Sequence, residues 1–308
     1  MRQKRRQPPT PKMNLVRLIE RFGTEDKCRA YLENLRWPDG VICIRCGSKA
    51  ISKIAKRNQY DCDSCRYQFS VTSGTKMHDT HLPLWKWFLC AYMMIESKKG
   101  VSSNQLRRVL NVAPKTAWYL THRIRAAMGD DLQAPLEGVI EVDETVVGGK
   151  IRGEGRLAAR RNKTMIVGAV QRGGEVRLQV VPGNDKVTLH KFIKEVTDDG
   201  ARAIYTDSLP SYRGIGDDDT VHEFVNHLAE EWVRGDVHTN TVEGVWSLLK
   251  RSIIGSYHQL SAKHLPAYLS EIGFRYNNRQ NPYLFRDAIS KLLESEALPY
   301  DRLVATAR

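Results

Sequence analysis

Hydrophobic residues recur at intervals of three and four positions in the N-terminal part of the chain, which predicts helices there. The first predicted helix has an apolar stripe made of Leu15, Leu18, Ile19 and Phe22. A second starts near Thr24 and has two acids in its first turn. The pattern is helical again from Leu82 to Met128.

Two helices in this last region are joined by a turn of three residues. The first runs from Ser102 to Leu110, and Pro114 suits the start of the second because the first helical position needs no backbone N–H. The pattern is typical of a DNA-binding helix-turn-helix, although a helical hairpin without DNA contact would look the same. The basic residues of the second helix are Lys115, His122, Arg123 and Arg125. We expect Lys115 and Arg123 to contact phosphates.

After residue 131 the apolar pattern changes to that of strands. Val139–Val147, Thr164–Val170 and Val176–Val181 are predicted strands, and a tight hairpin joins the last two. A predicted helix, Lys186–Val196, leads to a fourth strand that ends at Asp207.

The segment His238–Ile254 is predicted to form an amphipathic helix. Its apolar stripe consists of Val242, Val245, Trp246, Leu249 and Ile253, and a separate polar stripe consists of Asn240, Glu243, Ser247 and Lys250. Glu243 would therefore lie at the rim of a packed helix. A purely structural interpretation is also open, because Asn240 and Glu243 have the spacing of a capping box.

Two strands and this helix each contribute an acid. Val139–Asp143 and Ala203–Asp207 are apolar runs that end in an acid, and thirty-five residues separate Asp207 from Glu243. The element order β-β-β-α-β-α, with acids on the first strand, the fourth strand and a later helix, predicts a mixed α/β, ribonuclease H-like fold. In that fold the carboxylates meet at one edge of the sheet.

Three converging carboxylates can hold two divalent ions for phosphoryl transfer. Oxygen ligands suit Mg²⁺ or Mn²⁺. We expect Asp143 to bridge both ions, and Asp207 and Glu243 to complete one metal shell each.

Other polar residues near these acids have less specific signals. Lys250 follows Glu243 by two helical turns and would contact a phosphate, although a surface lysine is common at such a position. Asn240 is a second candidate for a metal or phosphate contact. We interpret Glu141 and Glu144 as supporting or solvent-exposed acids, and Asp217–Asp219 as a solvated loop.

Four cysteines have the spacing of a zinc site. The pattern C-x2-C-x15-C-x2-C provides four thiolates, which close a tetrahedral site and so predict a structural zinc ion in a small β ribbon. The ligands would be Cys43, Cys46, Cys62 and Cys65. The ribbon has a basic face, which suits DNA or a protein partner, and Cys28 and Cys90 are expected in the core.

The charge balance favours a polyanionic partner. The 308 residues include 48 Lys and Arg against 35 Asp and Glu, a formal net charge of +13. The arm Met1–Lys12 is basic and predicted to be disordered, and it could contact phosphates or be a solvated tail. A glycine-rich segment containing Lys150 is also basic, and we interpret it as a DNA-contacting loop rather than a solvated hairpin.

No targeting segment or membrane span is predicted. The N-terminal arm has no apolar run behind it, and the best apolar stretch, Leu82–Ile95, is short and interrupted by Lys86. Close cysteine pairs suit a reducing compartment. We expect a cytoplasmic, nucleoid-associated protein.

Taken together, these motifs resemble the ISXO-like DDE transposases of bacterial insertion sequences. The resemblance spans roughly residues 20–285 in family order. The matching segments are Cys43–Cys46 with Cys62–Cys65, Phe69–Thr75, Leu82–Trp87, Val142–Thr145, Val147–Lys150, Tyr205–Asp207, His238–Arg251, Ser261–Leu265 and Phe274–Arg279.

The resemblance implies binding to terminal inverted repeats, metal-dependent release of 3′ hydroxyls at the element ends, and attack of these hydroxyls on target DNA. It implies Asp143 and Asp207 as the first two catalytic acids. Some relatives use Asn as the third, so Asn240 competes with Glu243, which the interval after Asp207 and the later Lys250 favour. Synapsis of two ends implies at least a dimer.

Two other functions are open. One is a zinc-ribbon and helix-turn-helix regulator that binds DNA without chemistry, and the other is an inactive transposase copy. For the transposase we expect five segments: a basic arm 1–12, a helical lead-in with zinc ribbon 13–75, a helix-turn-helix-like region 76–131, a catalytic domain 132–285 and a tail 286–308.

Overall fold

The computed structural model describes residues 12–129, 134–148 and 163–305. The chain forms two compact units, Met1–Asp130 together with Gln280–Arg308, and Asp131–Arg279. Residues 1–11 of the basic arm and the loop with Lys150 lie outside the described residues. Within the described ranges, no helix is both long and apolar enough to cross a membrane.

The first unit is mainly helical, and its helices begin where the sequence predicts. Asn14, Thr24 and Ser102 each cap a helix by accepting a hydrogen bond from the backbone N–H three residues later. The helices are α1 (Leu15–Phe22), α2 (Glu25–Arg36), α3 (Leu84–Glu96), α4 (Ser103–Leu110) and α5 (Pro114–Gly129). The two predicted lead-in helices and the helical hairpin are confirmed.

A three-stranded antiparallel ribbon lies between α2 and α3 in the chain. Strands β1 (Ile51–Ile54), β2 (Gln59–Cys62) and β3 (Gln68–Phe69) pair in that order. Trp37 covers the ribbon, with its ring centroid 5.6 Å from that of Tyr60 and at 5.9 Å from that of Phe69. Cys28 and Cys90 are buried in the helices, as predicted.

The basic side chains of α5 correct the predicted DNA contacts. Arg123 is only 4% exposed, its guanidinium lies 5.0 Å from the ring centroids of both Trp87 and Tyr119, and it donates a 2.6 Å hydrogen bond to the carbonyl of His78. The prediction that Arg123 contacts phosphate is therefore wrong for this structure: the guanidinium contributes to helix packing. His122 and Arg125 are buried as well.

The second unit contains a five-stranded mixed sheet in the order β6-β5-β4-β7-β8. Its strands are β4 (Leu136–Gly148), β5 (Lys163–Gln171), β6 (Val176–Val181), β7 (Thr197–Asp207) and β8 (Val221–Val225). The first three strands pair antiparallel, and β7 lies parallel to both β4 and β8. This arrangement confirms the mixed α/β, ribonuclease H-like fold, and β8 is a strand that the sequence pattern did not predict.

Helices cover both faces of this sheet. Helix α6 (Lys186–Val196) packs on one face with Ile140, Val142 and Ile204. Helices α7 (Asn240–Ser252) and α8 (Leu265–Asn277) pack on the other face over Ile166 and Val170. Because side chains alternate along β4, its odd-numbered residues point towards α7.

The C-terminal helices belong to the first unit. Helix α9 (Leu284–Glu294) packs against α2, α3 and α5, and α10 (Tyr300–Val304) follows it. Phe285 completes a cluster with Phe22 and Phe88, whose ring centroids lie 5.7 and 5.8 Å from it. The segment after Gln280 is thus part of the helical core, and the predicted five-segment division stays a prediction.

Candidate functional site

Asp143 and Asp207 lie at corresponding positions of two neighbouring parallel strands. The register of β4 and β7 pairs Glu141 with Tyr205, and each acid lies two residues further along its strand. A step of two residues returns a side chain to the same face of the sheet. Both acids are therefore on the face that α7 covers.

Burial and neighbouring acids change the ionisation of Asp143. Its pKa is raised to about 7, first by burial and then by the charge of Glu144, with a smaller contribution from Asp207. A hydrogen bond from the Trp246 indole, 2.8 Å from Nε1 to Oδ2, acts in the opposite direction. Like charges gathered in a partly buried place are a favourable site for a cation.

Glu243 lies on helix α7, which packs against β4 and β5. The predicted apolar stripe is confirmed, since Val242, Val245, Trp246 and Leu249 are buried. The Glu243 side chain is 46% exposed, accepts a hydrogen bond from the Thr239 hydroxyl at 3.0 Å, and has an oxygen 3.6 Å from Nε2 of His227. Glu243 is thus accessible while its helix is fixed.

The capping-box interpretation of this helix is wrong. Thr239 is the N-cap and Asn240 is the first helical residue, so Glu243 is one position beyond the place that a capping box requires. The N-terminal N–H groups are instead satisfied by Glu141 on β4. Its carboxylate accepts from the backbone N–H of Thr241 at 2.7 Å and of Val242 at 3.1 Å.

Glu141 is fully buried, so of its two predicted roles the solvent-exposed one is wrong and the supporting one agrees with the structure. Arg172 donates from Nε to Glu141 at 2.7 Å, and Nδ1 of His238 lies 3.2 Å from the same oxygen. A carboxylate at a helix N-terminus is favoured by the helix dipole. Glu141 therefore anchors α7 to the central strand.

Arg172 extends this anchor, and the sequence pattern did not reveal it. Its guanidinium also donates to the backbone carbonyls of Asp236 and His238, at 2.7 and 3.1 Å, and lies 4.8 Å from the ring centroid of Tyr205. The sequence indicated only a hairpin here, because the partners of Arg172 lie between 31 and 66 positions away along the chain.

Glu144 points to the opposite face and is also held. Tyr212 donates its hydroxyl to Glu144 at 2.6 Å, and Asn184 donates from Nδ2 at 3.4 Å. Burial, together with the charge of Asp207, raises the pKa of Glu144. Glu144 is therefore a supporting, partly buried acid.

The acids are more widely spaced than the ligands of a single ion. Among the described residues, only the four cysteines form a group of three or more candidate ligands whose ligand atoms all lie within 4.8 Å of one another. Asp143, Asp207 and Glu243 therefore do not form such a group in this structure, and their roles as metal ligands stay a prediction.

The cysteine cluster fits a structural zinc ion. The Sγ atoms of Cys43 and Cys65 lie 3.6 Å apart, as do those of Cys46 and Cys62. Four thiol groups at such spacing suit the tetrahedral coordination of zinc and leave no position for a substrate. The predicted zinc site is confirmed as a four-cysteine cluster.

The other predicted phosphate contacts differ in their accessibility. Asn240 and Lys250 are exposed on α7. Lys115 is exposed at the start of α5, with Nζ 4.2 Å from the ring centroid of Tyr300. Lys150 lies outside the described residues.

Comparison with known proteins agrees with this arrangement. Residues 135–277 match the family described as ISXO2-like transposase domain, and residues 23–68 match the transposase zinc-ribbon domain. A protein of Halobacterium salinarum, described as an uncharacterized protein in transposable element ISH50, is 27% identical over 295 residues, which cover 90% of this chain and 98% of that protein.

A solved structure also aligns with the chain. It is the cryoEM structure of the simian T-cell lymphotropic virus intasome in complex with PP2A regulatory subunit B56 gamma, and the alignment covers 67% of this chain and 74% of that chain. The identity is 13% and the TM-score 0.29, values too low to support an inference.

Proposed function

We propose that the chain is an ISXO2-like transposase, which binds the terminal inverted repeats of its insertion sequence and catalyses DNA cleavage and strand transfer; the matches to the transposase domain and the zinc-ribbon domain support this. The main support is the equivalent position of Asp143 and Asp207 on adjacent parallel strands, on the face covered by the helix that carries Glu243. The families themselves imply DNA binding.

In this proposal the three acids hold the divalent metal that the family implies. Asp143 would be the ligand common to both ions, and Asp207 and Glu243 would each complete the shell of one ion. When bound, Mg²⁺ or Mn²⁺ ions stabilise the charge on the reacting phosphate and activate the attacking oxygen. Exposed Lys250 and Asn240 on α7, and Lys115 on α5, are proposed to contact DNA phosphates.

Two phosphoryl transfers at this site account for transposition. In the first, water attacks the phosphodiester at the element end, the P–O3′ bond breaks, and a free 3′ hydroxyl leaves. In the second, that hydroxyl attacks a target phosphodiester and displaces a target 3′ oxygen. No covalent protein intermediate is needed, and pairing two ends calls for at least two copies of the chain.

Cleavage of DNA that carries the element ends tests the proposal. Asp143→Asn, Asp207→Asn and Glu243→Gln should each lower Mg²⁺-dependent cleavage at least about a hundredfold, since each removes a metal ligand worth several kcal/mol. Binding to the ends should persist. Asp218→Asn, an exposed acid outside the site, should cleave normally.

The same assay separates the alternatives. Asn240→Ala should weaken cleavage far less than Glu243→Gln; the reverse ranking would make Asn240 the third catalytic residue. Wild-type protein that binds the ends but cleaves with neither Mg²⁺ nor Mn²⁺ would overturn the proposal in favour of a DNA-binding regulator or an inactive copy.

A further inference from the structure

We propose that Trp246 is a positioning residue for Asp143, and that its indole N–H determines which carboxylate oxygen of Asp143 is presented to the metal ions. The inference rests on the proposed function, because it assumes that Asp143 is a metal ligand. It concerns a buried side chain that would act on the metal only through Asp143.

The contact itself is short and buried. Nε1 of Trp246 lies 2.8 Å from Oδ2 of Asp143, and Trp246 is only 4% exposed. The terminal torsion of an aspartate has a broad energy minimum, so an unrestrained carboxylate rotates readily. A fixed donor on one oxygen restricts that rotation and directs the other oxygen.

Gly168 provides the space that the indole occupies. It pairs with Asp143 across β4 and β5, so the strand beside the acid carries no side chain at that position. A Cβ on Gly168 would lie 2.6 and 2.9 Å from two ring atoms of Trp246 and 3.0 Å from a methyl of Leu178. Only glycine leaves room for the ring against the sheet, and a glycine inside a strand often marks such a close approach.

Helix α7 therefore affects both Asp143, through Trp246, and Glu243, which it carries. Trp246 follows Glu243 by three residues, so the two side chains are neighbours on α7. The helix is anchored at its start by Glu141 and, one turn beyond Glu243, by Asp143. The packing of α7 on the sheet therefore orients the Asp143 carboxylate and also fixes the position of Glu243.

A buried tryptophan also needs a hydrogen-bond acceptor for purely structural reasons. Trp246→Phe separates the structural role from the positioning role, because it keeps an aromatic ring against Gly168 and removes only the indole N–H donor. Trp87→Phe is the matched control. Trp87 is 1% exposed and donates from Nε1 to the Thr80 hydroxyl at 3.0 Å, in the helical unit.

The test measures metal affinity and cleavage on the full-length chain. Free Mn²⁺, followed by electron paramagnetic resonance, should give a dissociation constant about 10 to 100 times weaker for Trp246→Phe, the usual range for loss of a group that orients a metal ligand. The Mg²⁺ concentration for half-maximal cleavage should rise by a similar factor. Trp87→Phe should change neither value.

A second measurement needs no variant at the tryptophan. In the wild-type protein labelled with ¹⁵N, one indole N–H resonance should shift on addition of Mg²⁺, and this shift should be absent in Asp143→Asn. Gly168→Ala should weaken Mn²⁺ binding in the same direction as Trp246→Phe.

The outcomes distinguish the two proposals. A wild-type protein without metal-dependent cleavage overturns the proposed function. If wild-type protein cleaves, the inference alone is overturned when Trp246→Phe has unchanged Mn²⁺ and Mg²⁺ dependence with only lower thermal stability, or when no indole resonance responds to Mg²⁺.

Discussion

Glu141 and Asp143 lie two positions apart on one face of β4, and their neighbours give them different electrostatic environments. Glu141 is surrounded by donors, among them the Arg172 guanidinium and two N–H groups at the start of α7. Asp143 has one indole donor and two acids nearby. A buried carboxylate surrounded by donors is satisfied, whereas one beside other acids is left to bind a proton or a cation.

The raised pKa of Asp143 predicts a specific effect of pH on stability. The folded protein holds this proton up to about pH 7, whereas the unfolded chain releases it near the ordinary value of 3.8. Stability from this group is therefore greatest below about pH 4 and decreases as pH rises towards 7. Asp143→Asn should match wild type at pH 4 and exceed it by roughly 2 to 4 kcal/mol at pH 8 without metal.

Urea unfolding in the presence of a chelator, followed by circular dichroism at both pH values, measures this difference. Titrating groups that do not interact with Asp143 are common to both proteins and cancel in the comparison. Asp218→Asn serves as the control and should show no such pH dependence. Parallel stability curves for wild type and Asp143→Asn would contradict the assignment.

At the scale of elements, α7 is determined partly by its own sequence pattern and partly by contacts with residues far away along the chain. The apolar stripe that seats the helix is visible in its own sequence. The group that caps its first turn comes from β4, about a hundred positions earlier in the chain. The helix thus forms from its own residues and is held in place by a distant strand.

The zinc ribbon depends on a metal rather than on a large apolar core. Its three strands are short, and the four thiol groups that join the two ends of the ribbon supply the missing stability when zinc is bound. We expect one zinc ion per chain. Cys46→Ser should lose it and make the segment between Ile51 and Phe69 sensitive to trypsin.

Zinc content and limited proteolysis check this prediction. Cys90→Ala, which removes a buried thiol outside the cluster, should retain the metal. Retention of a full complement of zinc by Cys46→Ser would be the contrary result.

At the scale of the whole molecule, the formal charge of +13 favours DNA, but only exposed cations contribute to binding. Lys115 is exposed and Arg123 is buried between two aromatic rings, although both lie on α5. Lys115→Gln should reduce the slope of log affinity against log salt concentration by about one. Arg123→Gln should leave that slope unchanged and lower the melting temperature by about 5 °C or more.

Fluorescence anisotropy at several salt concentrations, combined with thermal unfolding, measures both effects. Equal slopes for wild type and Lys115→Gln would remove Lys115 from the DNA contacts. A reduced slope for a folded Arg123→Gln would show that the guanidinium becomes accessible when DNA binds.

The sequence by itself predicts much of the secondary structure. Helix α6 begins and ends at the predicted residues, and the strands carrying Asp143 and Asp207 end within one position of the prediction, although β7 begins six residues earlier than predicted. The sequence predicts the zinc cluster equally well, because its ligands lie in two short segments with fixed spacing. Such features depend on side-chain periodicity and on contacts between residues that are close in the sequence, so a short segment is enough to predict them.

Only the tertiary structure decided what surrounds the charged side chains. It buried Glu141 and Arg123, set Trp246 against Gly168, and joined the segment after Gln280 to the helical unit. The sequence pattern also did not predict strand β8, since its apolar pattern is short and interrupted by polar residues. The physical reason is common to these cases: burial and ionisation depend on partners far away along the chain, and only folding brings those partners together.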